Sequence, residues 1–309
     1  MLVRAAGSVQ NVLSDFTTTY KDPAAQFESR VGAHRVCPCP NDGVAYLALR
    51  IREDPAQLYR ALAACPRVRR PDLNFPPPVC SPDYFAVVQD RRVARLPTVL
   101  IHPEHSAIPY FAIILQTHLP GPLGIKKFDG IITRHNEALF DVVLCDAASS
   151  RQRSFVRTIL DLSSDSSDLA QVSALGIADR LVELRMRVKA IDVIAALFPS
   201  LPVLDVFVIA LGRHKTGTVL YPGTDILQMF YAANMRAVRP VACPVLSRVV
   251  IEGDGQMCST TWIAQFVGHA LGVSPRRKLE LVLKGCSLDG DPGQIWGYFK
   301  SISMVPNSQ

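Results

Sequence analysis

Apolar residues along this chain arrive in short runs, and the length and period of each run predict a strand or a helix. Val44 to Ile51 reads as a strand, and Asp54-Pro55 opens a short helix with proline at its first helical position. From Pro71 to Pro82 the prolines at 71, 76, 77, 78 and 82 argue against regular structure, so a linker or extended arm is expected there. Tyr84 to Gln89 and Thr98 to Ile101 are β-branched and aromatic runs bounded by proline or charge, and predict strands. Pro109 to Leu119 fits either a buried strand or a helix with a proline start, and helix is favoured. Phe140 to Asp146 is the clearest strand, an apolar run that ends on an acid and delivers it to the edge of a site.

Ser164 to Asp168 supplies N-cap residues for what reads as the longest helix of the chain. Leu169, Val172, Leu175, Ala178, Leu181, Val182, Val188 and Ile191 recur at helical spacing, with Asp179, Glu183, Arg187 and Lys189 mostly off the stripe. Pro199 and Pro202 stop it. Val203 to Leu211 then predicts a strand, Asp225 to Arg236 a helix, and Val245 to Ile251 a strand closed by Gly253-Asp254-Gly255. The tail predicts a helix from Thr261 to Leu271, a basic turn at Arg276-Arg277-Lys278, a strand from Leu279 to Leu283 and a polar end. No internal repeat is recognised. Alternating strands and helices predict an α/β sheet with helices on both faces, and strand ends are where such sheets build sites. The expected division is an N-terminal segment with the proline-rich arm (1–82), a central sheet domain (83–255) and a C-terminal appendage (256–309).

Composition narrows the class. The 309 residues are long enough for a substantial core, and with 49% hydrophobic and 19% charged residues wholesale disorder is not expected. No run approaches the roughly 18 apolar residues of a membrane span, and Ala5 to Leu13 is too interrupted for a secretory signal. The 8 cysteines, in settings such as Cys145 and Cys243, read as reduced thiols, which places the protein in the cytoplasm or nucleus or within a particle assembled there. The net charge of +6 is dominated by arginine, crowded at Arg67, Arg69, Arg70, Arg91, Arg92 and Arg95. Arginine suits phosphate and carboxylate partners, and a solvated basic face explains the same residues.

Several clusters carry possible chemistry. Asp146 is followed by Ala147-Ala148-Ser149-Ser150, small residues that permit close approach of a ligand; the competing reading is a cap for the next segment. Cys37-Pro38-Cys39 with His34, Cys65 and Cys80 contains metal-ligand types, but a single intervening residue fits a zinc knuckle poorly. His102-Pro103-Glu104-His105 cannot place both imidazoles on one helix face, because proline interrupts it. No metal is expected. Gly212 to Gly217 encloses Arg213, His214 and Lys215 without the spacing of a phosphate loop.

Asp129-Gly130-Ile131-Ile132 followed by Phe140-Asp141-Val142-Val143-Leu144-Cys145-Asp146-Ala147 resembles the central strands of FtsJ-type and flavivirus-type ribose 2′-O-methyltransferases. Phe207-Val208-Ile209-Ala210-Leu211, then Val238-Arg239-Pro240 and Ser247-Arg248, follow in a similar order, so the resemblance covers about residues 125–252. It implies a Rossmann-like methyltransferase-type sheet with N- and C-terminal additions, Asp129 beside the adenine of S-adenosylmethionine, and Asp146 in a catalytic tetrad. The departures are a missing glycine-rich cofactor loop, Ala210 where the family has lysine, and Arg248 near the final glutamate. Methyl transfer to a ribose hydroxyl needs a base, and alanine supplies none. Lys215 is the nearest substitute from a loop, with Lys21 or Lys127 for the other amine, and Arg151, Arg153 and Arg213 would face RNA.

Two functions compete on this reading, with the second favoured. One is an active S-adenosylmethionine-dependent RNA methyltransferase. The other is a degenerate, methyltransferase-like subunit without cofactor, serving as a structural or RNA-scaffolding component of a viral or ribonucleoprotein assembly. Its partners would be neighbouring proteins and RNA, with no membrane. A structural viral protein with a coincidental Rossmann-like pattern is a third reading.

Overall fold

The computed structural model describes residues 20–21, 26–27, 46–50, 70–75, 88–103, 108–147, 151–163, 167–211 and 240–306, the backbone alone as far as residue 75. In chain order the strands are β1 (Tyr20–Lys21), β2 (Gln26–Phe27), β3 (Tyr46–Arg50), β4 (Arg70–Phe75), β5 (Thr98–Pro103), β6 (Leu123–Ile132), β7 (Glu137–Asp146), β8 (Gln152–Asp161), β9 (Leu181–Arg187), β10 (Val206–Ala210), β11 (Arg248–Ser259), β12 (Leu279–Asp289) and β13 (Phe299–Val305). The helices are α1 (Arg91–Arg95), α2 (Ile108–Ile113), α3 (Ser167–Ala174), α4 (Ile191–Leu197) and α5 (Thr260–Gln265). Wider π-type turns, Ile114–His118 and Phe266–Ala270, continue α2 and α5.

The chain folds as two compact units, residues 1–120 with 148–160, and residues 121–147 with 161–309. In the first unit β3, β4, β5 and β8 are successive parallel neighbours. Pro71 lies inside β4, opposite Leu47, within the span expected to be irregular, and residues 76–87 lie outside the described residues. One proline fits extended backbone because its φ is already close to that of a strand; a cluster does not. Val88 and Gln89 are helical where a strand was expected, and Tyr84 to Val87 lie outside the described residues.

The second unit is an α/β sheet of mostly parallel strands, in the order β13-β12-β11-β10-β9-β6-β7. Strands β9 to β13 are consecutive among the described strands and adjacent in space, each parallel to the last. Two ladders of apolar residues cross them in register: Leu184, Phe207, Val249, Leu281 and Ile302, then Met186, Ile209, Ile251, Leu283 and Met304. All of them except those on the edge strand β13 are buried. The ring of Phe266 meets Phe207 edge-on at 5.8 Å, which places the end of α5 on this face. Parallel crossovers are right-handed, so the β9–β10 connection that carries α4 lies on the same side of the sheet as the β11–β12 connection that carries α5.

The expected helix from Leu169 to Ile191 is corrected to α3, β9 and α4 in succession. Gly176 adopts φ +63° just beyond α3, which stops the helix. From Leu181 to Arg187 the period shifts toward two, with Leu184 and Met186 inward and Arg185 and Arg187 outward. Pairing with β6 and β10 then outweighs a helical stripe that matched only in part. The glycines at 253 and 255 do not close a strand either. They form an irregularity in β11 between Glu252 and Gln256, after which pairing with β12 resumes. The tail from 256 continues the sheet through β12 and β13, and is therefore not an appendage.

The two strands of the resemblance form an antiparallel hairpin in this sheet. Asn136, at φ 59°, completes its turn, with Asn136 N–H donating to the Thr133 carbonyl at 3.1 Å. Gly130 is required by close pairing, since a Cβ there would lie 2.7 Å from the Cβ of Phe140.

Candidate functional site

The register of the hairpin decides whether Asp129 and Asp146 share a site. Asp129 is opposite Asp141, and Asp146 is opposite Leu123. Directly paired residues share a face, and residues an odd number apart along one strand do not. Asp129 therefore lies on the face of Asp141 and Val143, and Asp146 on the face of Phe140, Val142 and Leu144. The span from Asp141 to Asp146 adds a separation of roughly 17 Å at about 3.4 Å per residue. The expected joint cofactor site is not formed by these two acids.

Each acid instead meets the chain's own groups. Asp146 is buried at 6% exposure, and its Oδ1 would be 3.1 Å from a Cβ at Gly121. The Gly121 carbonyl accepts from Arg180, at 3.2 Å from Nε and 2.7 Å from Nη2. Asp129 is bridged by Arg187, whose Nη1 lies 2.8 Å from Oδ2.

The RNA-facing assignment of Arg153 is corrected by its burial. Its Nε donates to His118 Nδ1 at 2.7 Å, Nη1 to the Gln152 carbonyl at 2.6 Å, and Nη2 to the Ala94 carbonyl at 2.8 Å. The other ring nitrogen of His118, Nε2, donates to the Val88 carbonyl at 2.6 Å. Both side chains are fully buried, so the guanidinium ties α1, the end of the α2 segment and β8 together and presents no face to a ligand. Desolvation, reinforced by the Arg153 charge, lowers the His118 pKa to about 4, and burial brings Arg153 down to about 10. The imidazole is therefore neutral near pH 7, as accepting a proton from Arg153 requires. Arg151 is half-buried. Lys215, Arg213, the remainder of the 212–217 loop, His34 and Cys37, Cys39, Cys65 and Cys80 lie outside the described residues. Among the described residues no cluster of His, Cys, Asp or Glu has the arrangement of a metal site.

The prominent charged arrangement is one the sequence reading did not single out, the second face of the β9–β13 sheet. Residues alternating with the apolar ladders point there: Arg185 and Arg187, Arg248 and Glu252, Glu280 and Lys284. Arg185 and Lys284 both pair with Glu252, at 2.7 and 3.3 Å. Arg248 and Lys300 both pair with Glu280, at 2.9 and 3.4 Å. Arg248 foremost, with Lys300, holds the Glu280 carboxyl below its usual range. The hairpin adds Lys126 with Glu183 at 3.3 Å, Lys127 with Asp141 at 3.9 Å, and Arg187 with Asp129. Lys127 is thereby placed in an exposed ion pair and not beside Asp146. Val208 and Val250 are buried between these rows, where the aliphatic stems of the long charged residues shield them.

Two features mark this face as an open, net-positive surface. Its cations are 44–56% exposed, and all are arginine or lysine. The two glutamates are each shared by two cations, which leaves one positive charge unbalanced in each group. The sequence signal was alternation of charge with apolar residues, as in Leu184-Arg185-Met186-Arg187. The basic turn differs: Arg277 donates to the Cys243 carbonyl at 3.1 Å, and Lys278 to the Trp296 and Gly297 carbonyls at 2.6 and 2.8 Å. Those cations hold loops together.

Comparison with family models, curated proteins and solved structures finds no match to this chain. Among the described residues no helix is long and apolar enough to cross a membrane.

Proposed function

We propose that this protein is a non-catalytic interaction scaffold, in which the charged strand face of a repeat-built sheet docks an extended acidic segment of a protein partner. The observation that carries this reading is the pair of apolar ladders running in register through five sequential parallel strands, backed by an exposed face of shared ion pairs. Sequential parallel strands with connections on one side are the architecture of solenoids, which bind extended partners on their strand faces. The segment Leu281-Val282-Leu283-Lys284-Gly285-Cys286-Ser287-Leu288 fits the L-x-L-x-x-C-x-L core of a leucine-rich repeat, and Cys286 donates to the Ile251 carbonyl of the preceding strand at 3.4 Å. The steps from Leu184 to Phe207 and from Leu281 to Ile302 fall within the roughly 20–29 residues of such repeats; the steps between them are longer.

This keeps the scaffolding role expected from sequence and moves its basis from a lost cofactor site to a sheet face. The excess positive charge selects an acidic partner, and the interspersed carboxylates disfavour a continuous nucleic-acid backbone. The test is fluorescence anisotropy of the full chain with labelled decapeptides rich in Asp and Glu. Arg185→Glu with Arg248→Glu should weaken binding by about tenfold or more. Binding unaffected by that double reversal overturns the reading. So does S-adenosylmethionine-dependent methyl transfer to RNA that Asp146→Ala abolishes.

A further inference from the structure

Beyond the charged face, the irregularity in β11 holds two thiols that no part of the proposed docking uses. Cys286 on β12 is opposite Gln256, and Cys258 follows two residues later on β11, so both thiols occupy one side of the β11–β12 pair. Cys258 is buried at 4% exposure and Cys286 is half-buried. Each thiol is the leading influence on the other, Cys286 raising the pKa of Cys258 and Cys258 lowering that of Cys286. The Cβ of Cys286 would lie 3.0 Å from a Cβ at Gly253, so the thiol is seated in the irregularity. Positive φ at Gly255 (79°) and Gly285 (61°) places a conformationally permissive residue beside each strand of the pair.

We propose that Cys258 and Cys286 form a redox pair, in which peroxide converts the two thiols to a disulfide that staples β11 to β12. Cys286 is the attacking sulfur: it is the more exposed of the two, and the neighbouring Cys258 lowers its pKa. Cys258 is the resolving sulfur, its own proton held by the neighbouring Cys286 and by burial. In the first step Cys286 thiolate attacks hydrogen peroxide, the O–O bond breaks, and the departing hydroxide takes a proton to become water. The product is a Cys286 sulfenic acid. In the second step the sulfur of Cys258 attacks the sulfenic sulfur, the S–O bond breaks, and a second water leaves with the Cys258 proton. The two sulfurs together lose two electrons and the peroxide gains them. The sulfurs must close to about 2.05 Å, a movement the glycines of the irregularity accommodate. Cys243 is excluded from this chemistry, because burial raises its pKa to about 12.

The staple would lie next to Glu252 and Lys284, at the margin of the charged face, and its formation does not depend on what that face binds. The experiment treats the full chain with a small excess of hydrogen peroxide and maps peptides under non-reducing conditions. The expected product is a Cys258–Cys286 linked peptide pair, absent after dithiothreitol and absent in Cys286→Ser. The thermal midpoint should rise by roughly 5 °C on oxidation of the wild-type chain and stay fixed in Cys286→Ser. Oxidation that leaves Cys258 a free thiol, or links either residue to another cysteine, overturns the pairing. A linked pair without a thermal shift overturns the stapling role.

Discussion

Arg153 in the first unit and Arg185 in the second are both strand residues, and their environments are opposite. Arg153 is fully buried and satisfied by three acceptors within 2.8 Å, one of them the ring of His118. Arg185 stands on an open sheet face and shares Glu252 with Lys284. A buried guanidinium whose donors are met by fixed carbonyls cannot be exchanged for water, so removing it strands its partners. An exposed ion pair competes with solvent and salt at every moment, so it contributes little to folding and is available to a partner. The same residue type is thus a structural pin in one place and a contact surface in the other.

The strongest challenge to this contrast is Arg153→Leu. It leaves the His118 ring and the Ala94 carbonyl without their donor, and should lower stability by about 3–5 kcal/mol in urea unfolding. A loss below about 1 kcal/mol would place Arg153 with the surface arginines.

A second, slightly smaller effect should appear in acid. The folded-state pKa of His118 is about 4 and its ordinary value is 6.5, so the unfolded chain takes up the proton first as pH falls. Stability from this group is complete above pH 6.5, declines between 6.5 and 4, and levels off below. The decline should amount to about 3 kcal/mol, measured as unfolding free energy against pH. In His118→Gln that part of the slope should vanish; an unchanged slope would assign it to other groups.

The smallest effect belongs to the open face. Glu252→Ala breaks two ion pairs at once, yet should cost under about 1 kcal/mol, and less in 0.5 M salt. A larger, salt-insensitive loss would mean that the face is part of the fold rather than a surface of it.

Local pattern was sufficient for several elements. Thr98 to Ile101, Phe140 to Asp146, Val203 to Leu211 and Leu279 to Leu283 lie in or overlap β5, β7, β10 and β12, and Pro109 to Leu119 and Thr261 to Leu271 became helical segments. Each is a short apolar run with a clear boundary. Leu169 to Ile191 failed because its apolar residues satisfied two periods at once, and the neighbours that resolved the conflict, β6 and β10, are remote in sequence. The in-register stacking is not legible in the sequence because connections of unequal length separate the strands, so Leu184, Phe207, Val249, Leu281 and Ile302 align in space without a fixed period. Asp129 and Asp146 seemed to belong together because both flank strands of a familiar order; a hairpin register with one irregularity sends them to opposite faces.

By itself the sequence determined that this is an α/β chain, that Phe140 to Asp146 is a buried strand, and that arginine carries most of its positive charge, because these depend on residue type and near neighbours. Only the tertiary structure decided which arginines face solvent, which acids share a face, and that five separated strands stack in register. Those properties are set by strand pairing between distant segments, where one residue of register reverses every side chain.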